Sequence, residues 1–562
     1  MSTSDFNLLD EPWIPIVTNT AETRDVSIIE AITEAREIRR LAGDIPTQTF
    51  ALLRLLLAAT ERALTQFAPQ NRSEIVSQVE QFADHWESDV APVIVQYLEQ
   101  YRQRFYLFDS EAPFFQVADL HASDNKFTSL SRIIGDFPTG EPYLTMRSAA
   151  NAEEISAAEA ARWLVHAQAF DTAGIKTGVV GHPRMKNNRV YPEGVSWTGQ
   201  LGCLYISGAT LLTTLLTNIW AVNLNETSNS DAPVWERPPL RTEGLAPEKN
   251  SIDAQRPAGP VDLYTWQSRC VLLNGDRSAV TGVLITYADS FILQERQFLT
   301  RIEPMTLWRY SKRQSQKYKI NIQMPAMHQP GISLWRGMGN LLGSIPGQKS
   351  GEQPAPCLIS EHAGLFEGSR LLPDGIVRLA AVGVEYGSNN SVIDTVYSDD
   401  LDIPATVLNP EHEELRQVAL DAVFSAREGV WALRNFAANI AKASGASGDS
   451  LEGSRENASG SGYSRLETIY RQWLTTVLQE SVDTPLAAEK HWHEAAVREL
   501  RNIGRGLVDQ VPEKAWRGFG QGESRVDVGL AEVYFLNSLR KVFPKAFESN
   551  QEKKKLEGGE ND

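Results

Sequence analysis

The chain has 562 residues, 42% of them hydrophobic, so it is too long for one core and apolar enough to bury more than one. Its formal net charge of −17 argues against a free-standing nucleic-acid binder, while leaving room for one basic face on an otherwise acidic body. The three cysteines, Cys203, Cys270 and Cys357, lie far apart, with no CxxC and no histidine at ligand spacing. They support neither a disulfide framework nor a zinc site and read as buried structural thiols. The longest apolar run, near Ala51–Thr60, is broken by Arg54 and falls short of the roughly 18 residues of a membrane span. Residues 1–20 carry Asp5, Asp10 and Glu11 and no basic n-region, so no secretory signal is read there. A soluble cytoplasmic protein with no membrane partner is expected.

In chain order, Phe6–Ile16 carries Pro12 and Pro15 and suits an edge strand, because proline cannot donate to an inner ladder. Thr47–Leu64 is apolar nearly all round and predicts a buried helix. Ile75, Val79, Phe82 and Trp86 recur at helical spacing, predicting an amphipathic helix over Ser73–Glu87, and another follows at about Val93–Gln103. Phe105–Val117 reads as a strand that turns at Pro113. Ser129–Asn151, rich in Gly, Pro and Thr, reads as a long loop of the functional or disordered kind. Ala152–Ala169 reads as a helix. Phe170–Gly199 is a second irregular stretch, with Lys176, Arg184, Lys186 and Arg189 as its basic residues. Gly202–Trp220 reads as an apolar helix, Ser228–Pro260 as a Pro-rich surface excursion and Val261–Ile285 as strand. Arg309–Lys319 is the most basic window. Leu379–Val392 reads as strand, turn, strand, and Gly387-Ser388-Asn389-Asn390 at its tip suits the positive φ of a tight hairpin.

After Pro404, helical periodicity returns in Glu411–Lys442, Tyr463–Glu480, Pro485–Val508 and Arg525–Phe543, with no strand between them. This predicts a four-helix bundle. The Ser/Gly-rich Ala443–Gly462 reads as a flexible connector and Gln551–Asp562 as a charged tail. The expected fold class is α+β: a large mixed domain over 1–404, the bundle over 405–545 and a disordered tail over 546–562.

Catalytic motifs are missing. Gly337-Met338-Gly339 followed by Gly343 approaches a dinucleotide fingerprint, but the third glycine is one residue late and Trp335-Arg336 stands where a buried strand should end. A turn into a helix fits better. His491 and His493 are two apart on a helix, point to different faces and cannot chelate together, so a solvated helix face is expected of them. Asp394, Asp399, Asp400 and Asp402 read as a solvated acidic linker in preference to a magnesium site. The reading is of a non-enzyme with no metal and no cofactor.

Several segments, taken together and in order, carry a resemblance. They are Asn7–Pro15 (NLLDEPWIP), Phe105–Gln116 (FYLFDSEAPFFQ), Glu303–Trp308 (EPMTLW), Leu334–Gly337 (LWRG) and Tyr386–Ile393 (YGSNNSVI), followed by the helical C-terminal part. From about residue 6 to about 545 the chain resembles the CasA family, the large subunits of type I-E CRISPR Cascade surveillance complexes. The resemblance implies a wedge-shaped N-terminal body ahead of the bundle, at the base of an RNA-guided complex near the 5′ end of its guide. The implied partners are the backbone, guide 5′-end and small subunits, the guide RNA, target double-stranded DNA and a helicase-nuclease. The implied function is non-catalytic. It comprises recognition of the protospacer-adjacent motif from the minor groove, initiation of strand separation and R-loop formation, and recruitment of the helicase-nuclease. In such systems base pairing carries most sequence information, and minor-groove readout is permissive.

Carried over residue by residue, the resemblance implies a glycine loop at Ala173-Gly174, followed by Lys176 and Gly178, that lays main chain against base edges. An ordinary helix-terminating turn is the alternative. The tip residues Asn389, Asn390 and Ser391 stand where relatives insert a polar side chain, commonly Gln, beneath the motif. Asn is one methylene shorter, which calls for shallower insertion or a closer backbone; the alternative is a plain Asn-rich turn. For a lysine that reaches a base or phosphate in relatives, Arg296 is nearest in order, with Lys312, Lys317 and Lys319 as alternatives. Tyr143 and Arg147, in Gly140–Asn151, stand in the place of a loop that touches guide RNA and a neighbouring subunit. Arg498, Arg501 and Arg505 are spaced i, i+3, i+7 and share a helix face, suited to the phosphates of a displaced strand or to ordinary surface charge. Two readings compete with the DNA-recognition subunit: a scaffold subunit with only incidental nucleic-acid contact, and a nucleotide-dependent enzyme using the Gly337–Gly343 turn.

Overall fold

The computed structural model describes residues 6–137, 153–222, 230–248, 256–519 and 525–548. The chain forms two units: Met1–Leu334 with Asn340–Ser344 and Gln348–Asp400, and Leu401–Asp562 with Trp335–Gly339 and Ile345–Gly347.

In the first unit, strands β1 (Ile14–Thr18) and β2 (Thr23–Val26) are followed by a short helix, α1 (Ile28–Thr33), and strand β3 (Ile38–Leu41). The three strands form a sheet in the order β2-β1-β3. The opening strand is therefore central, not an edge. Pro15 is tolerated because it faces Asp25 of β2, while the β1–β3 ladder begins only at Ile16. A capping box starts α1: Glu30 N–H donates to Ser27 Oγ at 3.1 Å, and Ser27 N–H donates to Glu30 Oε2 at 2.7 Å.

Helix α2 (Pro46–Leu64) is buried nearly all round, as its pattern predicts. Arg54 in its middle donates to both oxygens of Glu303 at 2.9 Å, and Trp197 Nε1 donates to the same carboxylate at 3.0 Å. A buried, forked ion pair of this kind fixes orientation as well as position. It locks the EPMTLW segment against α2, and that segment's Met305 carbonyl accepts from Leu204 N–H at 3.0 Å. Helices α3 (Ile75–Asp84) and α4 (Ala91–Gln100) are separated by a wide turn at Trp86–Val90. Phe105–Val117 is not a strand; beyond one bridge between Asn7 and Tyr106 it turns, and its phenylalanines pack on each other, with Phe105–Phe114 centroids 5.4 Å apart.

Helix α5 (Ala157–Phe170) is capped by Ser156, whose Oγ accepts from Glu159 N–H at 3.1 Å. The irregular stretch after it carries one small hairpin, β4 (Lys176–Thr177) with β5 (Arg189–Val190). The apolar run Gly202–Trp220 is not one helix. It splits into strand β6 (Cys203–Ile206) and helix α6 (Leu211–Asn218), because a short apolar run satisfies a buried strand as well as a helix. In the Pro-rich excursion, Trp235 is buried.

Helix α7 (Pro260–Tyr264) precedes the hairpin β7 (Arg269–Gly275) and β8 (Val280–Tyr287), so the strand expected over Val261–Ile285 starts later and doubles back. The basic window straddles strand β9 (Trp308–Tyr310) and helix α8 (Lys312–Tyr318), with β10 (Gln323–Pro325) pairing back onto β9. Short helices α9 (Met338–Leu341) and α10 (Leu358–Gly364) follow. Strands β11 (Ile376–Tyr386) and β12 (Ile393–Pro404) form the predicted hairpin, extended into a sheet ordered β12-β11-β6. Asp394, Asp399, Asp400 and Asp402 lie within β12 and not in a linker. Among the described residues no group of three or more His, Cys, Asp or Glu is placed to hold a metal ion. All three cysteines are buried and unbridged.

In the second unit a short helix, α11 (Ala405–Leu408), leads into α12 (Glu413–Ala443), α13 (Asp449–Trp473) and α14 (Pro485–Asp509). A short α15 (Glu513–Arg517) and then α16 (Val528–Val542) complete it. The Ser/Gly-rich segment read as a connector is mostly the first half of α13. Its small residues allow close packing. Ala458, Gly462, Leu466 and Tyr470 are buried at four-residue spacing, and a side chain at Gly462 would meet Val430 and Leu433 of α12 at 3.1 and 3.2 Å. Gly429 of α12 is tighter still, facing Leu500 at 2.7 Å and Phe543 at 2.8 Å. Phe436 and Phe535 stack with centroids 4.6 Å apart. His493 is buried against Phe543, not solvated, and burial pushes its pKa down; His491 is exposed as expected. The tail beyond residue 548 lies outside the described residues.

Candidate nucleic-acid interface

Where α5 ends at Phe170, the chain leaves helical geometry at Asp171 and enters a cleft of about 1360 Å³. Three segments line it: residues 128–137, the loop from Asp171 to Lys176, and the β11–β12 tip from Asn389 to Ile393.

The loop is held from behind. Arg269, at the start of β7, pairs with the Asp171 carboxylate and donates to the carbonyls of Asp171, Thr172 and Gly194 at 3.2, 3.1 and 2.9 Å. Its guanidinium lies 4.6 Å from the centroid of the Tyr287 ring, and Tyr287 OH donates to the Gly174 carbonyl at 2.8 Å. Lys176 Nζ reaches Asp171 at 2.6 Å. Burial pushes the Asp171 carboxyl up, but the adjacent Lys176 and Arg269 charges outweigh it and hold its pKa below the usual range. The hairpin tip meets this loop directly: Ala173 N–H donates to the Asn390 carbonyl at 2.7 Å. Tyr386, at the end of β11, donates to the Phe170 carbonyl at 2.8 Å.

Gly174 has no internal need to be glycine. A Cβ there would meet nothing closer than the Ser391 carbonyl at 3.6 Å, and its φ lies outside the left-handed region. Gly174 is half-buried, with its Cβ side open. Gly178 is different: a side chain there would collide with the backbone of Asn188, so it is a packing glycine. At the tip, Asn389 and Asn390 both adopt left-handed φ, 55° and 54°, and both are exposed. Ser391 Oγ donates to the Ser388 carbonyl at 2.7 Å, bracing the turn.

Of the residues assigned from sequence, the fold brings Ala173, Gly174, Asn389, Asn390 and Ser391 together at one cleft. Two cations are corrected. Lys176 is 7% exposed with its ammonium committed to Asp171, so it braces the loop and does not extend to a phosphate. Arg296 is 5% exposed, donates to the Arg256 carbonyl and lies 5.9 Å from the Phe291 ring centroid; it is a packing arginine. Lys312, Lys317 and Lys319 are exposed on or beside α8 and do not line the cleft. Among the described residues the exposed cation lining the cleft is Arg132, which the sequence reading passed over inside its long loop. Tyr143 and Arg147 lie outside the described residues. Arg498 and Arg505 are exposed on α14 and Arg501 is half-buried.

Comparison with known proteins agrees in extent. Residues 7–503 match the family model for the CRISPR-associated protein Cse1. A relative from Thermus thermophilus, the CRISPR-associated protein CasA/Cse1, is 29% identical over 452 residues, 79% of either chain. The crystal structure of Thermobifida fusca Cse1 superposes with a TM-score of 0.83 at 36% identity, over 97% of this chain and 99% of that one. A chain of a CRISPR RNA-guided surveillance complex shares the fold, with a TM-score of 0.63 at 16% identity over 90% of this chain and 100% of that one. With the family match running through both units, this chain belongs to the CRISPR-associated Cse1 (CasA) family.

Proposed function

We propose that this protein is the non-catalytic subunit of an RNA-guided surveillance complex that recognises the protospacer-adjacent motif of double-stranded DNA through the minor groove. The observation that carries the reading is the junction of Gly174, open on its Cβ side, with two exposed amide side chains at Asn389 and Asn390, joined by the Ala173–Asn390 hydrogen bond. The minor groove offers few distinguishing groups, so backbone atoms held rigidly from behind are well matched to it. An asparagine tip carried on a stiff hairpin suits insertion beside the motif. Unstacking there costs a few kcal/mol per step, offset by added contact with the bent duplex.

Family membership supports the rest of the proposed role. Strand separation begins at the tip, and the displaced strand follows the exposed arginines Arg498 and Arg505, with Arg501 beside them. Tyr143 and Arg147 contact guide RNA or a neighbouring subunit, and the complex recruits a helicase-nuclease. The fold shared with a chain of a surveillance complex supports the partnership with other subunits and guide RNA.

Gly174→Ala and the double variant Asn389→Ala/Asn390→Ala, each in the assembled complex, test this reading. Assembly is expected to be unchanged, since the added Cβ meets only ordinary contacts. Binding to a motif-bearing duplex is expected to fall by about 1–3 kcal/mol, roughly 5- to 150-fold, with little change on a duplex lacking the motif. Unchanged binding by both variants makes the protein a scaffold.

A further inference from the structure

The segment joining β4 to β5 ends in a second Asn-Asn turn, Lys186-Asn187-Asn188-Arg189, to which the motif reading gives no role. Asn187 and Asn188 have φ of 53° and 58°, and Lys186 and Arg189 exchange backbone hydrogen bonds at 2.9 and 3.1 Å, closing a two-residue loop. The turn is pinned from behind. Gly178 N–H donates to the Asn188 carbonyl at 3.2 Å, Ser123 Oγ donates to Asn188 Oδ1 at 2.6 Å, and there is no room for a side chain at Gly178.

The basic residues of this stretch divide into two kinds. Lys176 is spent on Asp171, and Arg184 pairs with Glu193 at 3.1 Å and donates to the Ala288 carbonyl at 2.6 Å. Lys186 and Arg189 are exposed, and no carboxylate among the described residues pairs with either. In a molecule of net charge −17, Lys186 and Arg189 form a small positively charged tip on a pinned turn.

Position says which anion. The segment Ala173–Gly178 runs from the Asn389–Asn390 turn at one end to the Asn187–Asn188 turn at the other. Five residues of chain reach at most about 18 Å. Phosphates repeat about every 3.4 Å along a strand, so the second turn lies within about five phosphates of the first. We infer that Lys186 and Arg189 grip backbone phosphates of the duplex flanking the motif, anchoring it independently of sequence. This inference rests on the proposed duplex recognition at Gly174 and Asn389–Asn390.

The test is the salt dependence of duplex binding by the assembled complex carrying Lys186→Ala/Arg189→Ala. The slope of log K against log salt is expected to shrink by about 2, near 0.9 per phosphate contact, with the ratio of motif-bearing to motif-less binding preserved. Lys186→Arg/Arg189→Lys, which keeps both charges, is expected to retain the parent slope and serves as the folding control. An unchanged slope in the alanine variant overturns the inference. So does a lost motif ratio, which would make the turn part of the base reader. The readout here is a salt slope, whereas Gly174→Ala is read as motif preference, so either proposal fails without taking the other's measurement with it.

Discussion

Glu61 sits buried in α2, and burial first, then the nearby Asp231, push its carboxyl up to about 8; burial likewise pushes Asp231 up to about 6. The unfolded chain gives up the Glu61 proton near pH 4.3, so between those values the folded state holds the proton and the unfolded state does not. Stability therefore falls as pH rises from about 5 to about 8, and is greatest where Glu61 is protonated in the fold. Glu61→Gln keeps the shape and removes the titration. Chemical denaturation at pH 5 and pH 8 is expected to show the parent losing at least about 1 kcal/mol, the worth of one pKa unit, and the variant losing less. Invariance of the parent between those pH values would show the carboxyl to be ionised and otherwise compensated.

At the scale of elements, the glycines of the bundle predict opposite signs. Gly429→Val drives branches into Leu500 and Phe543 and is expected to destabilise by about 1–3 kcal/mol. Gly460→Ala, on the exposed side of α13 with nothing within 4 Å of its Cβ, is expected to stabilise by about 0.5–1 kcal/mol. Thermal melts of the two variants check both, and equal effects would remove the packing account of α13. The same helix shows how far sequence reading carries. An all-round apolar run found α2, turn residues between apolar strands found the β11–β12 hairpin, and helical periodicity found α12, because each pattern is long and unmixed. It missed the first half of α13, where glycine and serine look like a linker until α12 is there to demand small residues. It missed β6 because Cys203–Ile206 is apolar in either geometry. At the cleft, Gly174 and the asparagine tip came from the family resemblance, since neither a glycine nor an Asn-Asn pair is specific alone. The pairing of Asp171 with Arg269 joins residues 98 apart, and no local pattern announces it.

At the scale of the whole chain, the second unit is not one continuous piece. Trp335, from the LWRG segment, stacks on Tyr470 with centroids 4.8 Å apart, and Arg336 lies 3.6 Å from the Tyr463 ring centroid. A fragment starting at Leu401 lacks both. It is expected to melt below the same helices in the full chain, and Trp335→Ala in the full chain is expected to lower their stability by about 3–5 kcal/mol. Near-UV signals from Trp473 and Trp492, buried beside Tyr470, report it. A fragment as stable as the parent would make the LWRG insertion decorative.

On the proposed function, the way the cleft loop is supported has a practical corollary for anyone wishing to alter target choice. Beside the exchangeable Asn389 and Asn390 side chains, the main-chain atoms of the Gly174 loop offer no side chain to exchange. Their spacing is governed by the forked hydrogen bonds of Arg269, the Asp171 carboxylate and the Tyr287 hydroxyl, all on the inner side of the loop. Retuning the loop, as opposed to the asparagine tip, is a matter of that hidden layer.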